Sequence, residues 1–103
     1  MRLAEKVLTP KEMNYCKSKK PEKIFVQHLA GRIAAKESVF KAVSGFKKVV
    51  WKDIEILNKA GLPVISGTCI LAGFLKSNNF RCSLSISHER DFAVAHAILW
   101  DNN

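Results

Sequence analysis

Apolar positions recur at helical spacing over the longest patterned segment of the chain, from Glu22 to about Val43. A stripe this broad predicts a long helix that is mostly buried. Ser44 and Gly45 are expected to end this helix. The large apolar residues of the stripe are Phe25, Leu29, Ile33 and Phe40.

The residues before this segment predict two short helical pieces within positions 1–16. The second piece has a clear start, because Thr9 offers an N-cap hydroxyl, Pro10 suits the first helical position and Glu12 can bond back to the cap. A basic loop follows at positions 17–21. This loop is either a solvated connection or a contact for an acidic partner or phosphate, and both interpretations stay open.

Alternation of apolar and polar residues replaces the helical period after Gly45 and runs over positions 49–56. It predicts a strand there, a hairpin loop at 58–61 and a return strand at 62–66. Pro63 lies in the return strand, which is therefore expected to be short or at a sheet edge.

The rest of the chain predicts a brief helix and then a β-hairpin. Gly67 and Thr68 can start the helix, and positions 78–79 stop it. Alternation at 82–87, a turn at 88–91 and a last strand at 92–100 form the hairpin. The order of elements favours the α+β class, with an antiparallel sheet packed on one long helix and short helices. The residues expected to face inward from the brief helix are Ile70, Leu71, Phe74 and Leu75.

Composition narrows the class of protein further. The 103 residues include 17 Lys+Arg against 9 Asp+Glu, a formal charge of +8, and 48% of them are hydrophobic. So apolar a chain can build a core, which excludes a disordered basic tail, and its length predicts a single domain over 1–103. The positive charge attracts acidic partners and would also attract nucleic acid without specificity.

Three cysteines, Cys16, Cys69 and Cys82, stand far apart, and no CxxC pair occurs. The odd number and the spacing argue against a disulfide framework and against structural zinc, and they fit a reducing cytoplasm. The first fifteen residues lack the apolar stretch of a signal peptide, and no run of 18 apolar residues predicts a membrane span. We therefore expect a soluble, cytoplasmic protein without a membrane partner.

Charged residues on the long helix form a second pattern beside the apolar stripe. His28, Arg32 and Lys36 follow each other at intervals of four, and Glu37 stands four residues before Lys41. The Glu37 and Lys41 pair is either a surface pair worth about 0.3–0.5 kcal/mol to the helix, or a hard-cation ligand among phosphate-binding cations. The helix alone does not decide between these interpretations.

Four short motifs, in order along essentially the whole chain, give the sequence a family resemblance. They are Val7-Leu8-Thr9-Pro10-Lys11-Glu12, then Gly31-Arg32-Ile33-Ala34-Ala35-Lys36-Glu37-Ser38 followed by Lys41, then Asp53-Ile54-Glu55-Ile56 with Gly61-Leu62-Pro63, and finally Leu84-Ser85-Ile86-Ser87-His88. The chain resembles the bacterial holo-acyl-carrier-protein synthases, which are small 4'-phosphopantetheinyl transferases. The resemblance implies their α+β fold and their role in fatty acid biosynthesis.

The resemblance also implies a reaction and the residues for it. The reaction is the transfer of 4'-phosphopantetheine from coenzyme A to a serine of acyl carrier protein, which leaves 3',5'-ADP. Glu37 is then a Mg²⁺ ligand, and Lys41 reaches the phosphates and stabilises or protonates the leaving group. Lys36 and Arg32 add positive charge for coenzyme A.

Further coenzyme A contacts are implied at Ser87 and His88, although a surface-turn histidine that caps its own backbone is an alternative for His88. Gly45 is what remains of a glycine turn whose N–H groups cradle phosphate in the family. Acyl carrier protein is the implied partner, and no specific nucleic acid is expected. The family's trimers imply a homotrimer in which the helix near Lys36 and Lys41 meets Ser87 and His88 of another subunit.

The chain departs from the family at its start. Family members begin with a strand whose Asp is a second magnesium ligand, and this sequence opens with Met1-Arg2-Leu3, so the domain is expected to be short at its N-terminus. Mg²⁺ is usually held by one or two carboxylates together with substrate phosphates, so binding through Glu37 alone is expected to be weaker. The alternative is a truncated or non-catalytic relative that binds coenzyme A or acyl carrier protein without turnover.

Overall fold

A computed structural model describes residues 2–89 and 92–102. Four helices, one short 3₁₀ turn and four strands make up the described part of the chain. In chain order they are α1 (Arg2–Val7), α2 (Pro10–Lys17), α3 (Glu22–Val43), the 3₁₀ turn (Trp51–Asp53), β1 (Ile56–Lys59), β2 (Leu62–Ile65), α4 (Ile70–Ser77), β3 (Phe80–Glu89) and β4 (Phe92–Asp101).

The strands pair as two antiparallel hairpins. In the first, Ile56 of β1 lies opposite Ile65 of β2. In the second, pairing of β3 with β4 runs from Phe80 opposite Asp101 to the end of β3, over ten residue pairs. Side chains alternate between the two faces of a strand, so the second hairpin has one face on α3 and one open face. The open face of β4 carries exposed Phe92, Val94, Ile98 and Trp100.

The core sits where α3 packs on the second hairpin. Its fully buried members are Ala35, Val39, Val43, Val49, Ile54, Ile56 and Leu71. A second buried cluster joins α1 and α2 to the first half of α3 and consists of Ala4, Val7, Leu8, Cys16 and Leu29. The long helix thus carries both clusters and fixes how the site residues on it are presented.

The long helix and the start of α2 agree with the sequence. Helix α3 spans Glu22–Val43 as expected. At the start of α2, Thr9 is the N-cap and shares reciprocal hydrogen bonds with Glu12, with Pro10 at the first helical position. These features depend on residues that are close together in the sequence, which is why the sequence predicts them.

Four predicted details are wrong. The hairpin loop predicted at 58–61 is shorter, because Asn58 and Lys59 are paired residues of β1. Positions 49–55 are not a strand, because the Asp53 carboxylate accepts a hydrogen bond from Val50 N and closes a 3₁₀ turn, and β1 begins only at Ile56. Helix α4 starts after Cys69, later than predicted. Ile70 is its first residue and is 61% exposed, whereas Leu71 is fully buried.

The turn predicted at 88–91 also begins later than expected. His88 lies within β3, opposite Ala93 of β4, so it is a strand residue. Residues 90 and 91 of the predicted turn lie outside the described residues. None of the described helices is long and apolar enough to cross a membrane.

Candidate active site

A buried ion pair ties three elements together beneath the candidate site. Lys36 Nζ of α3 donates to Glu12 Oε1 of α2 at 2.7 Å, and both side chains are fully buried. The carboxylate also accepts from Thr9 N at 2.8 Å and from Ile56 N at 2.7 Å. Four polar groups therefore satisfy one another, as buried polar groups must. Burial lowers the pKa of Lys36, and the Glu12 carboxylate opposes this.

This arrangement contradicts the prediction that Lys36 contacts coenzyme A. Its ammonium group has no exposed surface and points into the pair with Glu12. Lys36 therefore does not belong to the row of cations with His28 and Arg32 that the four-residue spacing predicted. Its role is to hold α2, α3 and β1 together.

The next residue, Glu37, lies on the open side of the same helix. Its carboxylate meets Lys41 Nζ at 3.1 Å, and the two side chains are 54% and 75% exposed. Successive helical residues are about 100° apart, which is why neighbours in sequence face such different surroundings. Both side chains line a 370 Å³ depression between α3 and β4, with Ala93, Val94 and Ala95 on the strand side.

The donor atoms at this depression fit a cation in a restricted way. The described residues hold no cluster of three or more His, Cys, Asp or Glu side chains able to bind a metal. Glu37 offers one exposed carboxylate, the ligand type that Mg²⁺ prefers. Mg²⁺ commonly keeps waters and takes substrate phosphates beside one or two carboxylates, so Glu37 suits a cation that arrives with a phosphorylated substrate.

A second depression lies near the middle of α3 and is lined by a largely buried arginine. Arg32 lines a cavity of 170 Å³ and is 4% exposed. Its Nε and Nη1 atoms have no hydrogen-bond partner among the described residues. A buried charged donor without a partner is costly, so these atoms suit an anion that enters the cavity. The cavity is lined by His28, Gly31, Arg32, Asn58, Gly61, Pro63, Ile86 and His88.

His88 reaches this cavity because α3 carries a glycine where β3 crosses it. A Cβ atom at Gly31 would stand 2.4 Å from Cε1 and 2.9 Å from Nε2 of His88. Neither distance leaves room for a methyl group, so the absent side chain lets the imidazole lie against the helix. The structure therefore brings Arg32 and His88 together within one chain.

The other predicted contacts lie apart from the Arg32 cavity. Ser87 is exposed and faces away from His88, because consecutive strand residues point to opposite faces. Gly45 is exposed on the turn that ends α3, four residues beyond Lys41. The structure brings neither residue to Arg32.

A third depression connects these two places. It has a volume of 450 Å³, shares His88 with the Arg32 cavity and shares Ala93 with the depression at Glu37 and Lys41. The three adjoin along one side of α3. A larger cavity of 790 Å³ between β2, α4 and β3 contains none of the predicted site residues.

Sequence reasoning missed several residues of the Arg32 cavity. His28 belongs to the predicted row of cations but not to the predicted site, and Asn58 is predicted only as a hairpin residue. Gly61 and Pro63 belong to a family motif, but the motif assigns them no role in the site. The spacing of His28 and Arg32, one helical turn apart, was the available signal. No local pattern indicates that the β1–β2 turn reaches α3.

Comparison with known proteins shows the family to which the chain belongs. The model of the 4'-phosphopantetheinyl transferase superfamily matches residues 1–97, and the chain belongs to this family. Within it, a holo-[acyl-carrier-protein] synthase of Halothermothrix orenii is 41% identical over 100 residues, covering 94% of this chain and 78% of that protein. The corresponding synthase of Polynucleobacter asymbioticus is 37% identical over 103 residues, covering 95% and 79%.

Solved structures of acyl carrier protein synthases have the same fold as this chain. A Chronobacterium ammoniagenes ACPS-CoA complex superposes with a TM-score of 0.77 at 29% identity, covering 96% of this chain and 81% of that one. The Mycobacterium tuberculosis acyl carrier protein synthase gives 0.71 at 33% identity, covering 97% and 86%. These findings confirm the family resemblance, the α+β fold and the expectation of a phosphopantetheinyl transferase enzyme.

Proposed function

We propose that this chain is a holo-acyl-carrier-protein synthase, which transfers 4'-phosphopantetheine from coenzyme A to a serine hydroxyl of apo-acyl carrier protein. One observation carries the proposal. The adjoining depressions along α3 have at one end the buried Arg32, two of whose nitrogen atoms lack a hydrogen-bond partner among the described residues, and at the other the exposed Glu37 and Lys41 pair. Coenzyme A carries anionic groups at two separate places, a diphosphate and a phosphate on its ribose, and so suits two separated charged sites.

The chemistry at the Glu37 end follows from the atoms exchanged. The serine oxygen forms a bond to the phosphorus that bears pantetheine, and the bond from that phosphorus to the bridging oxygen of the diphosphate breaks. The released product is 3',5'-ADP, and the proton of the serine hydroxyl passes to water. Lys41 Nζ is exposed and is placed to stabilise the charge that develops on the leaving oxygen, or to protonate it.

Magnesium belongs to this proposal as a metal that Glu37 would hold. When bound with the substrate, Mg²⁺ neutralises phosphate oxygens and so favours attack on phosphorus. Because Glu37 now pairs with Lys41, the protein's own change on binding is to separate these two side chains. Lys41 is then released to face the phosphates.

Arg32 and His88 hold the ribose phosphate in the proposed complex. The free Nε and Nη1 atoms of Arg32 supply charge-assisted hydrogen bonds, and the imidazole of His88 adds a further donor. Ser87 and Gly45 remain predicted contacts of coenzyme A. They are exposed and lie outside the Arg32 cavity, so a contribution from them needs a neighbouring subunit or an extended ligand.

The expected partners and assembly fit the surface. A net charge of +8 favours the acidic acyl carrier protein and coenzyme A by long-range attraction. The exposed apolar side chains on the open face of β4 support contact with another subunit, because a patch of that kind marks a contact surface, and the family resemblance makes a homotrimer the assembly that we propose. Light scattering is expected to report three copies, and a stable monomer would contradict the trimer. We also propose a single domain over 1–103 and a cytoplasmic location, in keeping with the free cysteines.

A second candidate function is binding of coenzyme A without turnover. The observation in its favour is that the described residues offer one carboxylate at the Glu37 depression and no metal-binding cluster. This candidate predicts normal coenzyme A affinity and no product.

The test is the intact mass of apo-acyl carrier protein after incubation with coenzyme A and this chain, with and without Mg²⁺. We expect a metal-dependent gain of one phosphopantetheine group. Glu37→Gln is expected to slow the reaction by about 100-fold or more, since it removes the charge at the reacting phosphates. Glu5→Gln is the matched control, because Glu5 is an exposed helical carboxylate in α1.

The outcomes separate the candidates. An unchanged rate for Glu37→Gln would contradict the role of Glu37. No mass gain from a folded wild-type protein that still binds coenzyme A would establish the non-catalytic alternative.

A further inference from the structure

The Arg32 cavity contains a titratable residue that the proposed function leaves without a role. His28 lies one turn before Arg32 on α3 and lines the same cavity. Its ring centroid is 5.8 Å from that of His88, which lies in strand β3. Two imidazoles therefore line one small cavity together with Arg32, whose buried Nε and Nη1 atoms have no hydrogen-bond partner among the described residues.

A tyrosine from α2 holds this group of side chains. The Tyr15 ring packs edge to face on His28, with centroids 5.5 Å apart. The same ring lies 4.9 Å from the Arg32 guanidinium carbon and 4.7 Å from Lys19 Nζ, both within cation–π distance. Tyr15 thus packs its ring against both His28 and Arg32 and holds them on the same side of α3.

The charge around His28 has one sign. Facing it are Tyr15 of α2, Lys19 of the following loop, Arg32 of α3 and His88 of β3. None of the described residues that line the cavity is a carboxylate, and the β1–β2 turn adds Asn58, Gly61 and Pro63. With no anion present, burial first, and then the charges of Lys19, His88 and Arg32, lower the pKa of His28.

We infer that His28 is a further binding residue for the phosphate monoester in this cavity and that it takes up a proton from solvent when the phosphate binds, with Tyr15 as its positioning residue. The inference rests on the proposed function, in which this phosphate is the ribose phosphate of coenzyme A. A dianion brought among Arg32, His28 and His88 favours the imidazolium form, which donates from both ring nitrogens. Affinity must then rise as the pH falls, because binding and protonation support each other.

Calorimetric titration of the full chain tests this, with coenzyme A and with dephospho-coenzyme A, which lacks the ribose phosphate. At pH 8.0, 7.2 and 6.5, we expect coenzyme A affinity to rise several-fold overall, within the limit of about tenfold per pH unit that one proton allows. Repetition in buffers of different ionisation enthalpy counts the proton directly. Dephospho-coenzyme A is expected to bind more weakly at every pH and with little pH dependence.

Variants show which residue takes up the proton. His28→Gln keeps a polar side chain and removes the charge, so it is expected to flatten the pH dependence for coenzyme A. Tyr15→Leu is expected to weaken binding of coenzyme A and to reduce proton uptake, and Tyr15→Phe to restore both, because the ring is retained. His96→Gln is the matched control, since His96 is an exposed histidine on the opposite face of the hairpin. Its pH dependence should equal that of the wild type.

The outcomes distinguish a missing phosphate site from a phosphate site in which His28 has no role. Equal affinities for coenzyme A and dephospho-coenzyme A, or no binding of either, would overturn the phosphate site itself and with it the inference. A clear preference for coenzyme A with unchanged pH dependence in His28→Gln would keep the site and overturn the role of His28. NMR titration of the wild-type imidazole protons gives the same answer without a variant, because the His28 resonance must titrate at higher pH in the complex.

Discussion

Helix α3 makes two ion pairs from adjacent residues, and they differ in almost every respect. Lys36 and Glu12 are 2.7 Å apart and fully buried, and the pair joins residues 24 positions apart in the sequence. Glu37 and Lys41 are 3.1 Å apart, are more than half exposed and lie on one helical face. The buried lysine–glutamate pair thus holds secondary-structure elements together, whereas the exposed pair can separate and bind a ligand.

Burial explains the division of roles. Breaking a buried pair strands a charge away from water, so such a pair is hard to open and unsuited to exchange partners with a substrate. An exposed pair gains little from its contact and is easily separated. A motif that places Lys and Glu side by side therefore contains one buried residue that holds the fold together and one exposed residue that is open to a ligand, and only the fold shows which is which.

The largest expected effect comes from breaking the buried pair. Lys36→Met leaves the Glu12 carboxylate buried without its cation and is expected to lower the free energy of unfolding by about 3–5 kcal/mol. The loss is a large fraction of the 5–15 kcal/mol typical of a domain. Urea unfolding followed by circular dichroism measures it.

Two further variants make this result specific. Adding Glu12→Gln to Lys36→Met removes the stranded charge and is expected to recover part of the stability. Lys41→Met is the exposed counterpart, with a charge lost from the same helix. Equal destabilisation by Lys36→Met and Lys41→Met would contradict the distinction between the two pairs.

The contrast also shows how far sequence reasoning reaches. The span of α3 and the cap formed by Thr9 and Glu12 were predictable, because spacing and capping depend on nearby residues. The burial of Lys36 was not, because its partner lies on another helix. The family motif identified Glu37 and Lys41 as a unit, but it could not separate Lys36 from them.

The meeting of Arg32 with His88 was beyond the sequence for a related reason. It depends on where β3 crosses α3, and the crossing is visible only as the missing side chain of Gly31. The same holds for the predicted strand at 49–55, where a local hydrogen bond to Asp53 overrode the alternating pattern. Side-chain contacts between distant segments and local turn chemistry are the parts that pattern alone does not fix.

A substitution at Gly31, where α3 borders the Arg32 cavity, is expected to have an effect of intermediate size. Gly31→Ala adds a methyl group that overlaps the His88 ring and must push it aside. Ala also favours the helix over Gly by about 1 kcal/mol, which offsets the steric cost to the fold. We therefore expect near-normal stability and a coenzyme A affinity lowered by about tenfold, the effect of losing one charge-assisted hydrogen bond.

Calorimetric titration beside thermal unfolding separates the two consequences of Gly31→Ala. Gly73→Ala is a suitable control, because it replaces another helical glycine, in α4, with no atom within 4 Å of the added Cβ. Unchanged affinity in Gly31→Ala would show that the position of His88 does not matter for coenzyme A.

The smallest expected effect is on stability when the exposed pair is removed. A double-mutant cycle with Glu37→Gln and Lys41→Met is expected to give a coupling of about 0.3–0.5 kcal/mol, falling as salt is raised. Chemical unfolding at low and at high salt measures it. A salt-independent coupling above about 1 kcal/mol would mean that Glu37 and Lys41 also hold the fold together. The small value expected instead leaves both side chains free to change partners when a phosphorylated substrate arrives.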